Sequence, residues 1–141
     1  MQSLIIEKTD DSPQVVLDDD NQVFLIEGES RPPHAFKFYQ PIIQWLEEYK
    51  KILFWQKQHF DKNRRMTMQF KLSYFNSTSA KFIADILVAL DTICQEGYDV
   101  RAKWFYLEED TDMKENAEEF MKMMKKLPIQ MVLIETTDSK Q

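Results

Sequence analysis

Apolar residues along the chain change their spacing several times, and each change marks an element. Leu4-Ile5-Ile6 is a short apolar run that suits an edge strand. Val15-Val16-Leu17 and Val23-Phe24-Leu25-Ile26 flank Asp18-Asp19-Asp20-Asn21, a cluster of turn formers, and predict a β-hairpin. Glu27 to Pro33 reads as a loop, because Arg31-Pro32-Pro33 suits neither a central strand nor a helix interior. Pro41 is then expected in the first turn of a helix, where its missing N–H is not needed. Ile42, Trp45, Leu46, Tyr49, Ile52 and Leu53 recur behind it at helical spacing, and this helix is expected to end before Asp61.

From Met66 the period changes to two. Met66, Met68, Phe70, Leu72 and Tyr74 alternate with Thr67, Gln69, Lys71 and Ser73, which predicts a strand. The polar run Asn76-Ser77-Thr78-Ser79 follows. Beyond it Ile83, Ile86, Leu87, Leu90, Ile93 and Cys94 form a helical stripe closed by Gly97. Val100, Ala102, Trp104 and Tyr106 mark another strand. Asp112 with Glu115 three residues later resembles a capping box at a helix start, and Ala117, Phe120, Met121, Met124 and Leu127 supply that helix's apolar face. Pro128 stops it, and Ile129 to Ile134 forms a last strand.

The order hairpin, helix, strand, helix, strand, helix, strand is that of an α/β protein with βαβ crossovers. The expected architecture is one domain over residues 1–141 with a mixed sheet, an N-terminal hairpin and a C-terminal βαβαβ part. Lys71 and Ser73 alternate with Leu72 and Tyr74, so one sheet face is expected to be less covered, with helices mainly on the other.

Composition narrows the function. The formal charge is −6 and the only basic cluster is Lys62-Asn63-Arg64-Arg65, so the positive footprint of a nucleic-acid binder is missing. No apolar run approaches the roughly 20 residues of a membrane span, and the N-terminus lacks signal-peptide character. Cys94 is the one cysteine and falls on an apolar helix face, where a buried, inert thiol is expected. A cytoplasmic location is the expectation. His34 and His59 stand outside any catalytic motif, and two glycines leave no Gly-rich loop to cradle a phosphate. The acidic turn at Asp18 lacks the downstream Gly and Glu of a calcium loop. Neither an enzyme of a common class nor a metal or cofactor site is expected.

Two polar segments remain. Asn76, Ser77, Thr78 and Ser79 lie at a strand-to-helix junction, where one such residue would serve as a cap. Four in a row also offer a surface hydroxyl for modification. A phosphate there would meet the helix dipole and free N–H groups while adding about −1.5 to −2 charges. Spacing alone favours capping. The second segment, Tyr106 to Asp112, carries Glu109, Asp110 and Asp112 before a helix and would form a docking surface near the first. A hard cation shared by Asp110 and Asp112 is the weaker alternative.

Taken with the loop before the first helix, these segments resemble the SiaC family of bacterial regulatory phosphoproteins. The matching pieces are Ile26-Glu27-Gly28-Glu29-Ser30, Phe38-Tyr39-Gln40-Pro41-Ile42 with Trp45 and Tyr49, and Leu72 through Ser79. Trp104-Phe105-Tyr106, Asp110-Thr111-Asp112-Met113 and Glu118-Glu119-Phe120 complete the series. The resemblance implies a STAS-like fold and partner switching. It further implies a dedicated Ser/Thr kinase and a PP2C-like phosphatase acting on the hydroxyl after the Asn, which is Ser77 here, with Thr78 in reserve. In the SiaC system the unphosphorylated form binds and activates a diguanylate cyclase, which links the switch to cyclic-di-GMP and biofilm formation. The segment Arg31-Pro32-Pro33 stands where many members carry Tyr-Pro-Glu. A constitutive adaptor, binding its partner regardless of phosphorylation, is the alternative function.

Overall fold

The alternating strands and amphipathic helices assemble, in a computed structural model, around a six-stranded sheet ordered β1-β2-β3-β4-β5-β6. Residues 1–60 and 65–135 are described, with the backbone alone at 57–60. The side chain of His59 and the basic residues Lys62 to Arg64 lie outside the described residues. β1 (Leu4–Ile6), β2 (Gln14–Asp18) and β3 (Val23–Ser30) pair antiparallel. β3, β4 (Arg65–Phe75), β5 (Asp99–Leu107) and β6 (Ile129–Ile134) run parallel. Between them lie α1 (Ala35–Phe60), α2 (Ser77–Gln95) and α3 (Thr111–Met123).

Because strand order equals sequence order, every crossover steps the same way. Crossovers of one hand then place all three helices on one face. The burial pattern agrees. On β4, Met66, Met68, Phe70 and Leu72 are buried, while Thr67, Gln69 and Lys71 are half-buried and Ser73 is exposed. Val100, Ala102 and Trp104 continue the covered face on β5. Each such large side chain stabilises the fold by about 1.5–3 kcal/mol relative to exposure. Phe70 stacks on Trp104 at 5.1 Å between ring centroids, and Phe120 of α3 closes over Trp104 at 5.6 Å. Ile83, Ile86, Leu87 and Leu90 of α2 fill the space between sheet and α1.

Four boundaries differ from the sequence reading. β3 continues through Glu27-Gly28-Glu29 to Ser30, where a loop was expected. Gly28 adopts φ +123°, and the register jumps from Gly28↔Leu72 to Glu29↔Tyr74, so a bulge carries the strand through glycine and polar residues. Helix α1 begins at Ala35, which places Pro41 inside the helix rather than in its first turn. A proline there forfeits the N–H bond to the carbonyl four residues back. Burial of Ala35, Tyr39 and Ile42 outweighs that cost. The cap of α3 is Asp110, not Asp112: its carboxylate accepts from Met113 N–H at 3.0 Å, and Asp112 sits in the first turn. The same helix stops at Met123 with Met124 as its C-cap, so Leu127 and Pro128 lie beyond it. The N–H groups of Lys125, Lys126 and Leu127 are drawn to the Asp91 carboxylate instead. Gly97, as expected, follows α2 with φ +96° and donates to the Cys94 carbonyl.

The parallel arrangement brings the carboxyl ends of β3, β4, β5 and β6 to one edge of the sheet. The N-termini of α1, α2 and α3 share that edge.

Candidate functional site

At that edge β4 turns into α2 through Asn76. Its backbone is extended (φ −83°, ψ 174°), and its side-chain oxygen accepts from Ser79 N–H at 2.9 Å. Asn76 N–H donates to the Ser30 carbonyl at 3.1 Å, tying the corner to the neighbouring strand. One of the four polar residues therefore caps the helix, as the first turn requires. Asn76→Ala should cost about 1 kcal/mol of stability, measurable by urea denaturation. An unchanged midpoint would remove this capping role.

Ser79 is fully buried. Its hydroxyl donates to the Ser30 carbonyl at 3.1 Å and accepts from Ser30 Oγ at 2.9 Å, and Ser30 Oγ also bonds the Tyr39 phenol. This chain of hydroxyls locks β3, α1 and α2 together. Burial pushes the Tyr39 phenol up from its ordinary pKa, against the opposing pull of Ser30 and Ser79, so it stays protonated and able to donate. Ser79, read from the sequence with the contact residues, has its hydroxyl inside the packing between elements. Sequence reasoning assigned no role to Ser30 or Tyr39. The one signal was a small polar residue on the inward parity of Ile26 and Gly28.

Ser77 and Thr78 are the remaining pair. Both are exposed, and they occupy the first two positions of α2. Neither hydroxyl has a hydrogen-bond partner among the described residues. Ser77 stands one helical turn before Lys81, which is exposed, and Thr78 one turn before Phe82.

The acidic segment follows the next strand along the same edge. Glu108, Glu109, Thr111 and Asp112 are exposed, Tyr106 is half-buried, and Asp110 is held by its cap. Between the two segments the sheet opens. Pairing of β4 with β5 runs from Arg65↔Asp99 to Phe70↔Trp104 and ends there. Beyond it lies a cleft of about 240 Å³ lined by Lys71, Ser73, Phe105, Tyr106, Leu107 and Asp110. Lys71 Nζ sits 4.8 Å from the centroid of the Phe105 ring, a cation–π contact. Lys71 and Phe105 are neighbours of the candidate site that the sequence reading did not single out. Among the described residues no three His, Cys, Asp or Glu side chains are grouped to hold a metal ion. Cys94 is buried, its thiol 3.6 Å from the Lys126 carbonyl and its pKa raised by burial.

A mixed sheet with helices on one face and a polar corner at the carboxyl edge defines an α/β regulatory domain of the kind found in crystallised SiaC. The apo-SiaC crystal structure from Pseudomonas aeruginosa superposes with a TM-score of 0.78 at 26% identity, over 94% of this chain and 99% of that one. A chain of the crystal structure of diguanylate cyclase SiaD in complex with its activator SiaC, from the same organism, gives 0.79 at 25% identity, over 93% and 99%. An uncharacterised protein of Pseudomonas aeruginosa strain UCBPP-PA14 is 28% identical over 120 residues, 85% of this chain and 88% of its own length. The family model described as SiaC family regulatory phosphoprotein matches residues 6–134, and the chain belongs to that family. No helix among the described residues is long and apolar enough to cross a membrane.

Proposed function

We propose that this chain is a phosphorylation-gated binding protein of a bacterial partner-switching pathway. It acts in the cytoplasm by binding rather than catalysis. Its unphosphorylated form docks on and activates an effector, a diguanylate cyclase. A cognate Ser/Thr kinase and a PP2C-like phosphatase add and remove one phosphate at Ser77. The docking surface comprises the α2 corner with Tyr106 at the end of β5, Glu109 and Asp110 on the loop after it, and Asp112 in the first turn of α3.

One observation carries the reading. Of four consecutive polar residues, Asn76 and Ser79 are held by the fold, and only Ser77 and Thr78 remain exposed. A phosphate on either would lie at the N-terminus of a 19-residue helix, where N–H groups and the helix dipole favour negative charge. Lys81 lies one turn from Ser77 and supplies a countercharge. The fold thus accommodates the modification, while a partner meets a surface with about two more negative charges. The likeness to SiaC, whose complex with SiaD is crystallised, supplies the class of effector.

The assignment is tested by incubating the purified protein with its cognate kinase and mapping the product by mass spectrometry. One phosphate on Ser77, lost in Ser77→Ala and kept in Thr78→Val, is the expected result. Undiminished modification of Ser77→Ala would move the site to Thr78.

A further inference from the structure

The sequence treats the two outer strands of the sheet differently. β1 spans three residues, and Trp45 Nε1 donates to the Gln2 carbonyl just ahead of it. Brevity blunts an edge, since few N–H and C=O groups are offered to a stranger. β6 runs for six residues, Ile129-Gln130-Met131-Val132-Leu133-Ile134, in unbroken register with β5. It holds neither a charge nor a proline. No described strand pairs with its outer side. The usual protections of an edge, namely lysine, proline, a bulge or shortness, are all missing from it.

Its outward groups follow from the hydrogen bonds on its inner side. Ala102 N–H donates to the Pro128 carbonyl, and Glu108 N–H donates to the Ile134 carbonyl. In a parallel pair alternate residues address a given neighbour. Pro128, Gln130, Val132 and Ile134 therefore face β5, while Ile129, Met131 and Leu133 turn both N–H and C=O away from it. Those three are symmetric about Met131. Their side chains share the helix-covered face with Trp104, the partner of Met131 in register. Leu133 is 47% exposed there, an uncovered apolar group at the end of the stripe.

We infer that the β6 edge is the interface with a second copy of this chain, the two strands pairing antiparallel about a two-fold axis at Met131. In that register Met131 exchanges both hydrogen bonds with its counterpart, and Ile129 of each copy meets Leu133 of the other. Every outward donor then has an acceptor, so the unpaired edge disappears. The intervening pairs set Gln130 against Val132, and no charge meets a like charge. An isologous contact sets the same stretch of both copies side by side, and β6 meets that demand because it carries no charge or proline and matches apolar Ile129 to apolar Leu133. The interface lies at the far edge from β1 and does not depend on the phosphoacceptor assignment.

Sedimentation velocity of the full chain, from micromolar to millimolar concentration, reads the outcome. A species of twice the 16.9 kDa chain mass should appear with rising concentration. Met131→Pro removes one outward N–H while leaving the bonds to β5 intact, and Leu133→Lys places a charge in the seam. Each should weaken self-association more than about tenfold with the far-UV circular dichroism unchanged. Should Met131→Pro fail to fold, Leu133→Lys decides. A wild-type protein that stays at 16.9 kDa throughout, or a dimer untouched by Leu133→Lys, overturns the inference.

Discussion

Asp91→Ala should lower the unfolding free energy by about 3 kcal/mol, because Asp91 gathers three successive backbone N–H groups of the segment between α3 and β6. Its carboxylate accepts from Lys126 N–H and Leu127 N–H at 2.8 Å each, from Lys125 N–H at 3.1 Å and from Gln95 Nε2 at 3.0 Å. Hydrogen bonds to a charged group contribute about 1.5–3 kcal/mol each, and unsatisfied buried donors cost about as much. The Leu127 N–H is buried, whereas those of Lys125 and Lys126 are partly within reach of water, which moderates the sum. Burial alone would raise the pKa of Asp91, but the three backbone N–H groups and Gln95 prevail and hold it below the usual carboxylate value. A depressed folded-state pKa stabilises the fold fully above the unfolded value of about 3.9, and that contribution is lost as pH falls through the folded value. The gap between wild type and Asp91→Ala should therefore be widest at neutral pH and close below about pH 4. Chemical denaturation across that range checks both statements, and a gap independent of pH would show that packing rather than charge is lost.

Ser77→Glu should weaken effector binding more than about tenfold while leaving the melting temperature near that of wild type. The two halves of this expectation have separate physical origins. Stability is spared because Asn76, not Ser77, supplies the cap, and a carboxylate in the first helical turn gains about 0.3–1 kcal/mol from the dipole. Affinity falls because new negative charge at the corner adds to Glu109 on the adjoining loop and Asp112 in the first turn of α3 and repels acidic groups of the partner. Calorimetric titration and differential scanning calorimetry on the same preparations separate them. A variant that loses several degrees of melting temperature would mean that the Ser77 hydroxyl supports the fold.

β4 and β5 were legible because each alternates at period two, burying one parity against the helices along most of its length and leaving the other half-buried or exposed. β6, half-buried or exposed throughout, was legible as an apolar run after Pro128. The far end of β3 was not, since its inward positions Gly28 and Ser30 are small or polar, and its hydrogen bonding survives only through a bulge at a glycine of positive φ. Pro41 misplaced the start of α1 because a local rule about proline was overridden by packing of Tyr39, which no local pattern reports. Asp91 shows the same limit. It lies four residues after Leu87 on the buried stripe of α2, a place where a carboxylate signals a buried hydrogen-bond role, but its backbone donors come from a segment more than thirty residues away.

The candidate site divides in the same manner. Its position at the carboxyl edge followed from the order of elements, and its residues from their polarity. The separate roles of the four could not be read from the chain, because Ser79 is sorted from Ser77 by a bond to Ser30, which lies 49 residues earlier. That sorting is what leaves Ser77 and Thr78 as the accessible hydroxyls.

The proposed gate is tested most directly by isothermal titration of the proposed effector, a diguanylate cyclase, with two preparations of this protein, one unmodified and one fully phosphorylated on Ser77. The account predicts tight binding by the unmodified protein and a loss of more than about tenfold on phosphorylation. Equal affinity for the two forms would contradict it and identify a constitutive adaptor.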